Sequence, residues 1–168
     1  MIERKNDSIL DNLESVLLDS SELVDCPVVH RFTNNMYIRQ IFMPKGTLLT
    51  SKIHNTEHPF TVSHGAAAVS IDGDDWQHIV SPYTGITKPG TRRILYILED
   101  CIWTTYHIIE GMKSEFNELS DEEIEDIVSK IEDKIIVSRS NSITGTNINN
   151  DYKNILKDNN VVKQLNND

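Results

Sequence analysis

Cysteine is scarce: Cys26 and Cys101 are the whole complement, without a CxxC pair. That excludes a disulfide framework, fits a reducing compartment and leaves both residues as expected buried thiols. Positive charge is also short. Sixteen Lys and Arg against 26 Asp and Glu give a formal charge of −10 and a pI near 5.0. Binding a phosphate backbone needs clustered basic residues, so a general nucleic-acid binder is excluded, and the acidity reads as solubility. No apolar run approaches the roughly 18 residues that a membrane span needs. The N-terminus lacks a basic start followed by an apolar stretch, so no signal peptide is expected and the expected location is cytoplasmic.

What is present is 168 residues, 38% hydrophobic and 7% aromatic, enough for one full core with polar appendages. Residues 7–19 read as a helix, with Asp7 or Ser8 to cap it and Ile9, Leu13, Val16 and Leu17 on one face. That stripe needs a partner, the outside of a sheet or a second subunit. From residue 23 to 111 the pattern becomes short β-rich runs separated by turn residues. Strands are expected at Val24–Phe32, Met36–Phe42, Thr47–Ile53, Phe60–His64, Ala66–Ile71, Trp76–Val80, Gly85–Lys88, Arg92–Leu98 and Ile102–Ile109. Breaks are expected at 33–35, 44–46, 72–75 and Glu99-Asp100, with Asp72-Gly73 suited to a tight hairpin. Many short strands without intervening helices indicate a mainly β protein, an antiparallel barrel or jelly roll.

Residues 112–168 form an acidic, helical extension. Ser120 and Glu123 have capping-box spacing, and Ile124, Ile127, Val128, Ile131 and Ile135 mark one apolar face through about residue 136. Residues 137–150 read as a polar linker, and a weaker helix is expected over 151–165. The C-terminal helices offer no identifiable chemistry and are expected to pack on the barrel or build a homo-oligomer. The organisation is thus a helical segment at 1–22, a β-barrel at 23–111 and the extension at 112–168.

The chemistry concentrates between Gly46 and Gly65. Alternation puts Lys52 and His54 on one strand face, and His58 follows across a turn. Arg92 and Arg93 have opposite facings, so one of them should point inward and the other should be exposed. Divalent transition metals take neutral imidazoles with a carboxylate or water, and His54, His58 and His107, with Glu57, could supply such a set. Lys52 and an arginine at the same mouth would instead hold an anion and discourage a metal. His30, His64 and His78 are read as structural.

The spacing resembles the first motif of the cupin superfamily, with its glycines at Gly46 and Gly65 and its second histidine at His54. Lys52 stands at the first histidine position, His58 at the glutamate position, and Arg93 at the histidine of the second motif, after Pro89-Gly90. The stretches 54–60, 82–93 and 102–107 also resemble small uncharacterised cupins of bacteriophages and bacteria. The resemblance implies a cupin-type jelly roll over about residues 24–109, without a known reaction. If the chain is viral, the location would be the host cytoplasm or the virion.

Three functions follow. In the first, the barrel mouth holds a small polar or anionic ligand, nucleotide- or sugar-like. Lys52 and Arg93 pair with the anion, and His54, His58 and Tyr106 donate hydrogen bonds. In the second, His54, His58 and His107 hold Zn, Fe, Mn or Ni in an isomerase, epimerase or oxygenase, or His54 serves as a metal-free base. In the third, the barrel is a scaffold in an assembly.

Overall fold

The computed structural model describes residues 7–19, 23–137 and 145–147; the helix expected over 151–165 lies outside them. The elements are α1 (Asp7–Leu18), β1 (Leu23–Val24), β2 (Val28–Thr33), β3 (Met36–Met43), β4 (Thr47–Thr50), β5 (His58–Ile71), β6 (Trp76–Val80), β7 (Tyr83–Thr87), β8 (Arg93–Ile108), α2 (Asp121–Ile135) and β9 (Gly145–Asn147). None of the described helices is long and apolar enough to cross a membrane.

The architecture rests on two long antiparallel strands, β5 and β8. One edge of β8 runs along β5, and its other edge is shared by β4 (Ile94–Tyr96) and β3 (Cys101–Ile108). The outer edge of β5 is likewise divided, between β7 for its first half and β6 for its second. Where these partners change, the β5–β8 register shifts between Val62 and Ala67, a set of bulges that bends both strands together. Gly65 makes the bend possible. Its φ is +79°, and a Cβ there would stand 2.0 Å from the Asp100 carbonyl oxygen.

The result is an antiparallel jelly-roll sheet that curls around a common core without closing. That core joins Ile41, Met43, Leu49, Val62, Val69 and Ile97, among others. Four expected strands are therefore two: Gly65 and Glu99-Asp100 mark bends, not ends. Conversely, the strand expected at Val24–Phe32 is divided, since Pro27 has no N–H to donate and its carbonyl instead accepts from Phe42 N. The linker expected at 137–150 contains β9, which pairs with β1 and β4.

Both helices pack on the sheet. In α1 Leu10, Leu13, Glu14 and Leu17 are buried; Val16, expected on the buried face, is 41% exposed. In α2 the capping box is present, and Val128, Ile131 and Ile135 are buried against Phe32, Tyr37 and Ile109. Each such side chain contributes on the order of 1.5–3 kcal/mol. The C-terminal end of α2 is tied to residues 53–55 by main-chain hydrogen bonds from Asn55 N to Ile135 O and from Val137 N to Ile53 O. This explains why β4 ends at Thr50 and not at Ile53: the chain leaves β8 to pair with α2.

Candidate functional site

Strand alternation builds the site. On β3 the residues Tyr37, Arg39 and Ile41 face the same way, and across the ladder on β8 they meet His107, Thr105 and Trp103. All six line a cavity of about 90 Å³. The opposite wall comes from Lys52, His54, His58, Thr87 and Arg93, and α2 contributes Glu132 and Ile135.

The three expected histidines come together. Ring centroids are 4.7 Å apart for His54–His58, 5.0 Å for His54–His107 and 4.4 Å for His58–His107. Tyr37 stacks on His107 at 5.8 Å and on His30 at 5.9 Å, with its hydroxyl 2.7 Å from His30 Nδ1. Burial holds all of these imidazoles neutral. His107 is lowered to about 3 by desolvation, then by His58 and Arg39. His54 is lowered further, by desolvation, its two histidine neighbours, Arg39 and Lys52. His58 is lowered by desolvation and by Arg93, against the opposing effect of its bond to Thr56. In that bond His58 Nδ1–H donates to the Thr56 carbonyl at 3.1 Å, which leaves Nε2 as an acceptor. His107 places Nε2 3.0 Å from Thr105 Oγ1, while its buried Nδ1 has no partner among the described residues.

Among the described residues, three cations line the cavity with the rings. Arg93, 8% exposed, donates to Thr87 Oγ1 at 3.0 Å and lies over Phe60 and Trp103, 5.2 and 6.0 Å from their centroids. Desolvation lowers its pKa to about 10, against the raising effect of Asp72 and Tyr83. Arg39 is partly buried and also lowered, chiefly by desolvation; its guanidinium has no ion pair among the described residues. Lys52 is paired with Glu132 at 2.7 Å, and these two side chains are 14% and 28% exposed.

Of the residues singled out from the sequence, Lys52, His54, His58, Arg93 and His107 line the cavity, and Tyr106 does not. Tyr106 lies between Thr105 and His107 on β8 and so faces away; its hydroxyl is 3.1 Å from Thr61 Oγ1. Glu57 is exposed outside the lining. Neither adjacent arginine is exposed, contrary to expectation. Arg92, 2% exposed, faces α1, where it pairs with Asp11 and Glu14. Sequence reasoning missed Tyr37 and Arg39, whose signal was alternation along β3. It also missed Glu132, on a helix that had shown no chemistry.

Cupins often carry a metal, and the donor set tests that directly. Three cations line the same cavity, and like charge at short range disfavours a metal ion there. Among the described residues no group of three or more His, Cys, Asp or Glu is arranged to hold a metal ion. The three histidines cluster, but as placed they do not fit one.

No family model matches the chain, and no curated protein matches it. Solved structures do. One is an RmlC-like cupin from Methanocaldococcus jannaschii, 8% identical over 50% of this chain and 82% of that chain, with a TM-score of 0.41. A second is a cupin superfamily protein from Desulfitobacterium hafniense, 11% identical over 58% and 88%, with a TM-score of 0.44. A third is the cupin-2 domain of an XRE family transcriptional regulator from Enterobacter cloacae, 15% identical over 49% and 95%, with a TM-score of 0.42. At these identities the likeness extends to no activity or ligand. The chain's own geometry is more specific, since all four positions matching cupin ligand positions, Lys52, His54, His58 and Arg93, line one cavity. The fold is cupin-like. Of the four positions laid on the cupin motifs, Lys52 and Arg93 are cations, and Arg39 adds a third to the cavity.

Proposed function

We propose that this protein binds a small anionic molecule in the cavity between β3, β8 and α2. The observation that carries the reading is charge. A protein of formal charge −10 lines this cavity with Arg39, Lys52 and Arg93 against a single carboxylate, Glu132, among the described residues. Desolvated guanidiniums are costly unless paired, and an incoming carboxylate or phosphate would supply the pairing. The neutral imidazoles, Tyr37 and Thr105 add hydrogen-bonding capacity without further charge. At about 90 Å³ the cavity is well short of the roughly 300–1,000 Å³ of clefts for drug-sized ligands. That favours a compact acid over a whole nucleotide. His54, held neutral far below its ordinary range, is a weak base at neutral pH, which favours binding over proton abstraction.

The test is calorimetric titration of the full chain with phosphate, nucleoside monophosphates and small sugar acids, beside Arg93→Gln. The reading expects the compact acids to bind and Arg93→Gln to weaken them by roughly 10-fold or more. Binding of none of these, or affinity unchanged in Arg93→Gln, would overturn it.

A further inference from the structure

Of the three cavity cations, one is already matched: Lys52 forms its ion pair with Glu132. Arg39 and Arg93 remain, and they enter from different places. Arg39 stands on β3 opposite Thr105 of β8, and Thr105 is in turn opposite Phe60 of β5. Arg93 begins β8 where it pairs with the far end of β5, at Ile71, and reaches back over Phe60 and Trp103. Two strand spacings of about 4.8 Å separate the Arg39 and Phe60 backbones. The two arginines thus reach the cavity from separate strands, β3 and the start of β8. Arg39 acts on His54 and His107, Arg93 acts on His58, and Glu132 draws on Arg39 as well as pairing with Lys52. Asp72 draws on Arg93 from outside the cavity lining.

Building on the anion-binding reading, we infer that the ligand is a compact dianion with its two charges at opposite ends, of the short-chain dicarboxylate class. One carboxylate pairs with Arg39 and the other with Arg93, and the His54–His58–His107 cluster spans the carbons between them. The described lining carries Arg39, Lys52 and Arg93 against Glu132, a formal net charge of +2 that a dianion balances. A single phosphate places both charges on one centre and leaves one guanidinium without a charged partner. A monocarboxylate leaves the same defect. His107 lines the same cavity, and its Nδ1, without a partner among the described residues on a side chain only 2% exposed, gives a ligand hydroxyl or carboxylate oxygen a partner.

Titration of the unmodified full chain with succinate, butyrate and inorganic phosphate needs no variant. Succinate should bind roughly 10- to 100-fold more tightly than butyrate or phosphate, the factor that one added charge-assisted contact supplies. Arg39→Gln and Arg93→Gln should each bring succinate down to the level of butyrate. Arg39→Lys, which keeps the charge, should recover part of the loss and so separates pairing from misfolding. Phosphate or butyrate binding as tightly as succinate would overturn the dianion inference and leave the anion reading standing. Binding of none of the three, nor of the sugar acids above, would overturn both.

Discussion

Arg92 and Arg93 are consecutive, both are buried, and they serve opposite sides of the same sheet. Arg92 donates to Asp11 and Glu14 of α1, at 2.7 and 2.8 Å, and Glu14 also accepts from Thr50 Oγ1. Arg93 enters the cavity. Two guanidiniums one residue apart thus belong to separate tasks, fastening a helix and receiving a ligand.

Substitution should separate the tasks. Arg92→Met removes the guanidinium that pairs with buried Glu14 of α1, and loss of one partner of a buried pair costs about 3–5 kcal/mol. Urea unfolding should record that loss, with ligand affinity unchanged in the protein that remains folded. Arg93→Gln should do the reverse. Equal stability losses in the two variants, with binding intact in Arg93→Gln, would remove the distinction.

Glu132 competes with the ligand for Lys52. Glu132→Gln should release the ammonium to the cavity and tighten succinate binding by roughly 3- to 10-fold. Lys52→Ala should weaken binding, because it leaves the Glu132 carboxylate unpaired at the cavity. Calorimetry on the two variants checks both signs, and weaker binding in Glu132→Gln would contradict the assignment.

His107 sets a pH dependence. Its pKa is about 3 in the folded chain against an ordinary 6.5, so below pH 6.5 the unfolded chain binds the proton that the folded chain refuses. Its contribution is therefore complete above pH 6.5 and is lost as pH falls toward 3, at up to about 1.4 kcal/mol per pH unit. His107→Gln removes this contribution. Its unfolding free energy should fall less steeply than the wild type's between pH 6 and pH 4, and parallel slopes would contradict the buried neutral state.

Gly65 and Gly111 both have positive φ, +79° and +88°, but differ in their surroundings. An added Cβ at Gly111 meets nothing within 4 Å, so Gly111→Ala should cost only the backbone strain, about 1–2 kcal/mol. At Gly65 the same atom would strike the Asp100 carbonyl, and the bend itself must shift. Thermal unfolding should show Gly65→Ala losing clearly more stability than Gly111→Ala.

The bend also marks the limit of what a linear pattern expresses. Gly65 and Glu99-Asp100 are correctly legible as interruptions, but in the structure they are one feature, a paired bulge across β5 and β8 that keeps both strands continuous. Capping at Ser120 and the apolar face of α2 depend on residues three or four apart, and both were legible. The cavity was legible in part for the same reason. Lys52, His54, His58 and Arg93 share motif spacing, whereas Arg39 and Glu132 arrive by long-range pairing, through the β3–β8 register and the contact of α2 with residues 52–55. Tyr106 shows the cost of choosing by residue type: alternation places it on the face opposite His107.

The central claim, that the histidine cavity is where an anion binds, is tested most directly by nitrogen NMR of ¹⁵N-histidine-labelled protein titrated with succinate and, separately, phosphate. The imidazole signals of His54, His58 and His107 should move together and saturate, while those of the exposed His64 and His78 stay in place. Cavity signals that remain still under both anions, or movement confined to His64 and His78, would contradict the account.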